Sequence, residues 1–114
     1  MIKNNHINYV EFKSTNIQET KSFYTNVFSW KFTDYGKDYI AFSESGLDGG
    51  FEFTTSPIIN GALIVLYSDN LKTVQGKIIA FGGKISIETF EFPGGKRFHF
   101  LDPSGNELAV WSDK

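Results

Sequence analysis

Tyr9-Val-Glu-Phe-Lys-Ser-Thr-Asn-Ile17 returns 54 positions later as Leu63-Ile-Val-Leu-Tyr-Ser-Asp-Asn-Leu71. Each copy runs from an alternating, strand-like stretch through Ser and a polar turn with Asn to an aliphatic residue that opens a helical segment. The helices close in register as well, at Val27-Phe28-Ser29 and Phe81-Gly82-Gly83. A unit this small cannot bury a core alone. Two copies therefore imply one folded body with a pseudo-twofold axis and a cavity between its halves.

Outward from the first copy, Ile7 to Lys13 alternates as a strand, and Thr15-Asn16 offers a side-chain oxygen to cap a helix. Ile17, Phe23, Tyr24, Val27 and Phe28 form that helix's apolar stripe. Strands are expected at Lys31–Thr33, Tyr39–Ser43 and Phe51–Thr54, separated by turns at Tyr35-Gly36-Lys37 and from Glu44 to Gly50. The second copy repeats the order. A strand spans Ala62–Tyr67, Ser68-Asp69 caps a helix, and Leu71, Val74, Ile78 and Phe81 fall at helical spacing before Gly82-Gly83 ends it. Strands follow at Lys84–Phe90, Arg97–Leu101 and Glu107–Trp111, with turns at Pro93-Gly94-Gly95 and Asp102-Pro103-Ser104-Gly105. The pattern predicts an α+β fold, one domain over residues 1–114. It is built from paired β-α-β-β-β modules at about 6–54 and 61–112, with curved mixed sheets enclosing a cavity. The link from Thr55 to Asn60, which contains Pro57, is the boundary.

A chain of 114 residues with a formal charge of −2 and no basic run makes nucleic acid a poor partner. The absence of cysteine excludes disulfides, thiolate ligands and thiol nucleophiles. No apolar stretch is long enough for a signal peptide or a membrane span, so a soluble cytoplasmic protein is expected. Twelve Phe within a 17% aromatic share suit a β-sheet core, and part of that share suits a ring-lined pocket.

Strand alternation divides the residues between two faces. Val10 and Phe12, Ile64 and Leu66, Phe51 and Phe53, Phe98 and Phe100, and Leu108 and Val110 are placed under the helices. The opposite face carries Tyr9, Glu11, Lys13 and Glu52 in the first half, and Leu63, Val65, Tyr67, Arg97, His99, Glu107, Ala109 and Trp111 in the second. A purely solvated face would not need Tyr9, Leu63, Val65 and Trp111. An enclosed ligand cavity or a dimer interface accounts for them.

The paired modules resemble the vicinal-oxygen-chelate superfamily of glyoxalase I, bleomycin-resistance proteins, fosfomycin-resistance thiol transferases and extradiol dioxygenases. Two stretches carry the resemblance: Lys21-Ser-Phe-Tyr-Thr-Asn-Val-Phe-Ser-Trp-Lys31 is similar to the family's helix end, and Phe100-Leu-Asp-Pro-Ser-Gly-Asn106 to its last hairpin. In metal-dependent members the resemblance implies one ligand on the first strand and one on the last strand of each half. Those places fall here on Tyr9, Glu52, Leu63 and Ala109. Only Glu52 is an ordinary ligand among them, and one carboxylate does not hold a divalent ion against water. No metal and no other cofactor is therefore expected.

Each remaining candidate has a structural and a functional reading. Glu52 pairs with Arg97, Lys13 or His99, or else serves as a general base of raised pKa; Glu11 has the same choice. Arg97 and His99, two apart on one strand, belong to a solvated face or bind an anionic group. A shifted metal site from Glu11, Glu52 and His99 is conceivable on donor chemistry. His6 reads as solvated, and Trp30 and Trp111 as packing, with Trp111 also a cavity wall. The leading expectation is a metal-independent binding protein that holds a small ligand against Tyr9, Arg97, His99 and Trp111. One alternative is a lyase or isomerase using Glu52 or Glu11 as base. Another is a small dimerisation domain. A homodimer is expected in each case, with the modules pairing within one chain or swapping between chains.

Overall fold

A computed structural model describes Asn4 and residues 7–114. His6 lies outside the described residues. The chain divides at Pro57–Ile58 into two compact units.

In the first unit, β1 (Val10–Ser14) leads into α1 (Ile17–Phe28), followed by β2 (Lys31–Asp34), β3 (Tyr39–Ser43) and β4 (Gly49–Phe53). The sheet order is β1-β4-β3-β2; β1 and β4 run parallel and the other neighbours antiparallel. Asn16 caps α1 by accepting the Glu19 amide at 3.0 Å, while Ser14 Oγ and Thr20 Oγ1 meet at 2.7 Å beneath the turn. The helix ends on Ser29 in the left-handed region, φ 61°, a conformation that glycine adopts more cheaply. Its apolar stripe lands on an aromatic core. Tyr24 stacks on Trp30 at 4.7 Å and meets Phe51 at 5.0 Å, and Trp30 meets Phe42 at 4.5 Å.

The second unit repeats the order with β5 (Ile64–Tyr67), α2 (Leu71–Ala80), β6 (Lys84–Phe92), β7 (Gly95–Leu101) and β8 (Glu107–Ser112), arranged β5-β8-β7-β6. Here β5 and β8 are the parallel pair. Asn70 caps α2 through the Thr73 amide at 3.1 Å. Ile78 is the one residue of α2 that is buried, and the helix packs on β6, β7 and β8, where Phe98, Phe100, Leu108 and Val110 are also buried. The last hairpin is organised by Asp102, whose Oδ1 accepts the amides of Ser104, Gly105 and Asn106. This is the local reason that Asp-Pro-Ser-Gly-Asn reverses the chain there.

Several expectations shift. The cap of α2 is Asn70, not Ser68-Asp69. Ile7, Asn8 and Tyr9 precede the first strand. Phe53, expected under the helix with Phe51, sits at the strand end and is 40% exposed, and Phe81 is likewise exposed beyond the last turn of α2. Gly49 and Gly50, expected to be turn residues, open β4. A Cβ on Gly49 would run into the Val10 carbonyl and the Phe42 ring, so the missing side chain permits close strand packing.

Candidate functional site

The two parallel strand pairs allow the halves to be superposed residue by residue. Val10 lies opposite Gly49 and Ile64 opposite Leu108. The 54-residue repeat equates Val10 with Ile64, so Gly49 corresponds to Leu108, Gly50 to Ala109, Phe51 to Val110 and Glu52 to Trp111. The position matching Ala109 is therefore Gly50, and the expectation that put Glu52 there is displaced by one pleat. The four places implied for an ion become Tyr9, Gly50, Leu63 and Ala109. Three of these have no side-chain donor, and a neutral phenol is a weak one, so the residues do not fit a divalent metal. Among the described residues, no three His, Asp or Glu side chains are grouped to hold one.

Gly50 has a further role. A Cβ there would collide with the ring of Tyr39, which crosses the first unit's open sheet face at that point. Tyr39 is tied down at its hydroxyl, 2.6 Å from Tyr9 Oη and donating to Glu11 Oε1 at 3.0 Å. Burial and these two contacts raise the Tyr39 phenol well above its ordinary pKa. Beside it, Lys13 bridges to Glu52 and lies 4.0 Å from Glu11. Its hydrogen bond to the Glu52 carboxylate raises the Lys13 pKa. Tyr9, Glu11 and Glu52, all expected at the site, are thus brought together on one face, each already engaged with a neighbour. Tyr39 was not foreseen. Its signal was available in Gly49-Gly50 before Phe-Glu-Phe, since glycine inside a strand marks close approach by another group.

The open face of the second unit is different. Across β5, β8, β7 and β6 the register aligns Tyr67, Trp111, Arg97 and Phe90 in one row. Tyr67 and Trp111 meet edge to face at 5.1 Å, and Tyr67 donates to Asp113 at 2.6 Å, which raises the Tyr67 pKa and lowers that of Asp113. The Arg97 guanidinium lies over the rings of Phe90 and Phe92, 5.3 and 5.7 Å from their centroids. No carboxylate pairs with Arg97 among the described residues, and its buried Nε has no hydrogen-bond partner.

One row away, His99 is 7% exposed, against the expectation of a solvated strand face. Its Nδ1 is 3.1 Å from Glu107 Oε2, and its Nε2 is buried and unpartnered. An ionised carboxylate only accepts, so this contact selects the ring tautomer with its proton on Nδ1, in which Nε2 carries the lone pair. Phe90 also lies 6.0 Å from the His99 ring. Sequence reading missed Phe90 and Phe92 as neighbours of Arg97 because β6 carries two register irregularities, between Ile85 and Ile87 and between Ile87 and Phe90. Simple alternation fails across such bulges.

Two shallow grooves lie elsewhere. One, about 450 Å³, lies beside the start of α1 near Asn16, Asp34 and Lys37; the other, about 420 Å³, lies beside the start of α2 near Asn70, Gln75 and Lys96. Neither is lined by the expected site residues. No helix among the described residues is long and apolar enough to cross a membrane.

The model of the Glyoxalase/Bleomycin resistance protein/Dioxygenase superfamily matches residues 6–110. Curated relatives include the protein named "Putative glyoxylase CFP32" from Mycobacterium bovis, 25% identical over 116 residues, covering 91% of this chain and 44% of that protein. The chain thus spans less than half the length of the relative it matches. Among solved structures, a glyoxalase/bleomycin resistance protein/dioxygenase family enzyme from Burkholderia phytofirmans superposes with a TM-score of 0.81. The identity is 15%, with coverage of 93% of this chain and 97% of that one. Lactoylglutathione lyase from Agrobacterium tumefaciens gives a TM-score of 0.72 at 14% identity, covering 95% and 93%. At such identities the likeness establishes the fold alone.

Proposed function

The chain belongs to the Glyoxalase/Bleomycin resistance protein/Dioxygenase superfamily, and from that premise we propose that it binds a small organic ligand without a metal ion, on the open sheet face of its second unit. One observation carries the reading: Arg97 is stacked on two rings with no acidic partner, beside a buried His99 nitrogen that also lacks one. Desolvated polar groups left unmatched cost about 1–3 kcal/mol each, a cost that a complementary ligand recovers. Trp111, the register partner of Arg97, forms the adjoining wall. Tyr9 and Glu52 of the first unit are engaged with Tyr39 and Lys13. Glu11 and Glu52 both already accept from neighbours, which favours binding over their service as bases of a lyase or isomerase. A cytoplasmic homodimer, without nucleic-acid or membrane partners, completes the proposal.

The test combines elemental analysis of protein purified without chelator and a thermal-shift screen of small aromatic and anionic compounds, run with and without EDTA. The expected result is well under 0.1 equivalent of metal, on the order set by trace contamination, and stabilisation by some compounds that EDTA leaves unchanged. About one equivalent of zinc, nickel or iron per chain, or stabilisation abolished by EDTA, overturns the metal-free reading.

A further inference from the structure

We infer that the second unit's face recognises a planar aromatic carboxylate that also bears a hydroxyl, with Arg97 taking the carboxylate and His99 Nε2 accepting from the hydroxyl. The inference rests on the small-ligand reading above and names the chemistry of that same site.

The charge comes first. A guanidinium presents a planar fork of donors that matches a carboxylate with two parallel hydrogen bonds. Arg97 is held for such use. The rings of Phe90 and Phe92 lie against it, and no protein carboxylate pairs with it among the described residues. The polar spacing comes second. His99 lies two residues along β7 on the same face, and strand geometry separates such positions by roughly 7 Å. That is close to the distance between a carboxylate and a para hydroxyl across one benzene ring. In the tautomer that donates from Nδ1 to Glu107, Nε2 is an acceptor and calls for a donor on the ligand. The wall comes third. Their neighbours across the strands are apolar bodies: Ala109 opposite His99, Trp111 opposite Arg97, and the Phe90 ring near both. A flat ring is the filling such a wall accepts.

The two nitrogens are shut off from solvent, so a ligand must displace a cover. Phe90 is the side chain placed to move. It touches both groups, remains 36% exposed, and sits where the β6–β7 register is irregular.

The experiment is isothermal titration calorimetry of the full chain with 4-hydroxybenzoate, 4-hydroxybenzamide and benzoate, with tryptophan emission as a second readout. 4-Hydroxybenzoate is expected to bind at one site per chain. Replacing its carboxylate by the amide, or removing its hydroxyl, should weaken binding by about tenfold or more. Arg97→Gln should erase the preference for carboxylate over amide, and Arg97→Lys should restore part of it. His99→Phe should erase the preference for 4-hydroxybenzoate over benzoate while leaving the carboxylate preference in place. The near-ultraviolet dichroism of each variant reports that it is folded. Equal binding of acid and amide, a carboxylate preference that survives Arg97→Gln, or no binding of any of the three probes overturns the inference. If these outcomes occur while the thermal-shift screen still yields metal-independent ligands, the small-ligand reading stands and only the aromatic hydroxy acid is wrong.

Discussion

The two units share a strand order and helix caps, yet they differ in where they place their rings and where they leave polar groups unmatched. The first unit puts its aromatics beneath the helix, with Tyr24, Trp30, Phe42 and Phe51 in mutual contact, and closes its open face with the Tyr9–Tyr39–Glu11 and Lys13–Glu52 contacts. The second mixes Ile78, Leu108 and Val110 with Phe98 and Phe100 beneath its helix, and displays Tyr67, Phe90, Phe92 and Trp111 around Arg97 on the other side. One fold has thus been given two distributions of the same residue types. The first concentrates stabilising contacts; the second leaves chemistry available.

Truncation at equivalent core positions should show the largest difference. Phe51 and Val110 correspond and are both fully buried. Phe51→Ala is expected to cost about 3–5 kcal/mol and Val110→Ala about 1.5–3 kcal/mol, read by urea unfolding. Equal costs would mean that the Phe51 ring packs no better than the smaller Val110 side chain. Next in size is Gly50→Val, which forces a branched side chain into the Tyr39 ring and should destabilise by about 1–3 kcal/mol. Most of that penalty should vanish in a Tyr39→Ala background. An additive double mutant would show that the two residues do not share the space.

Alkaline pH separates the two faces more finely. The folded state holds the Tyr39 phenol above its ordinary pKa, so folding favours the protonated form. The associated stability is complete below the unfolded value of about 10 and declines as pH rises beyond it. Tyr67 is raised too, chiefly by its bond to Asp113, but about half of it is exposed. Unfolding free energies measured from pH 8 to pH 11 should fall less steeply in Tyr39→Phe than in Tyr67→Phe. The opposite ranking would place the tighter network on the second face. The smallest effect concerns Ser29, held at φ 61°, where Gly82 does the corresponding work after α2 at φ 99°. Ser29→Gly should raise stability by about 0.5–1 kcal/mol, seen as a small increase in Tm.

The repeat, the Asn16 cap and most strand faces were legible because each depends on local rules: a period, a short side chain before a helix, alternation along a strand. What escaped the sequence depends on pairing between strands. The displacement of Glu52 by Gly50 at the position matching Ala109 follows from the β1–β4 and β5–β8 registers, which composition does not specify. Tyr39 was read as the first residue of a strand, and only its fold over Gly50 shows that it belongs to the face. Phe90 and Phe92 reach Arg97 because β6 is irregular, and the choice of Glu107 by His99 is a contact across the β7–β8 hairpin.

The seating of the Tyr39 ring over Gly50 also constrains the routes by which this sequence can change. A carboxylate or imidazole introduced at residue 50 is the substitution that would begin to rebuild an ion-binding set, and it meets an occupied space. A lineage leading to such a set must first shrink or redirect Tyr39, thereby releasing Tyr9 and Glu11, before residue 50 can gain a side chain without penalty. Order matters on that path. The effect of a side chain at residue 50 therefore depends on which residue occupies position 39.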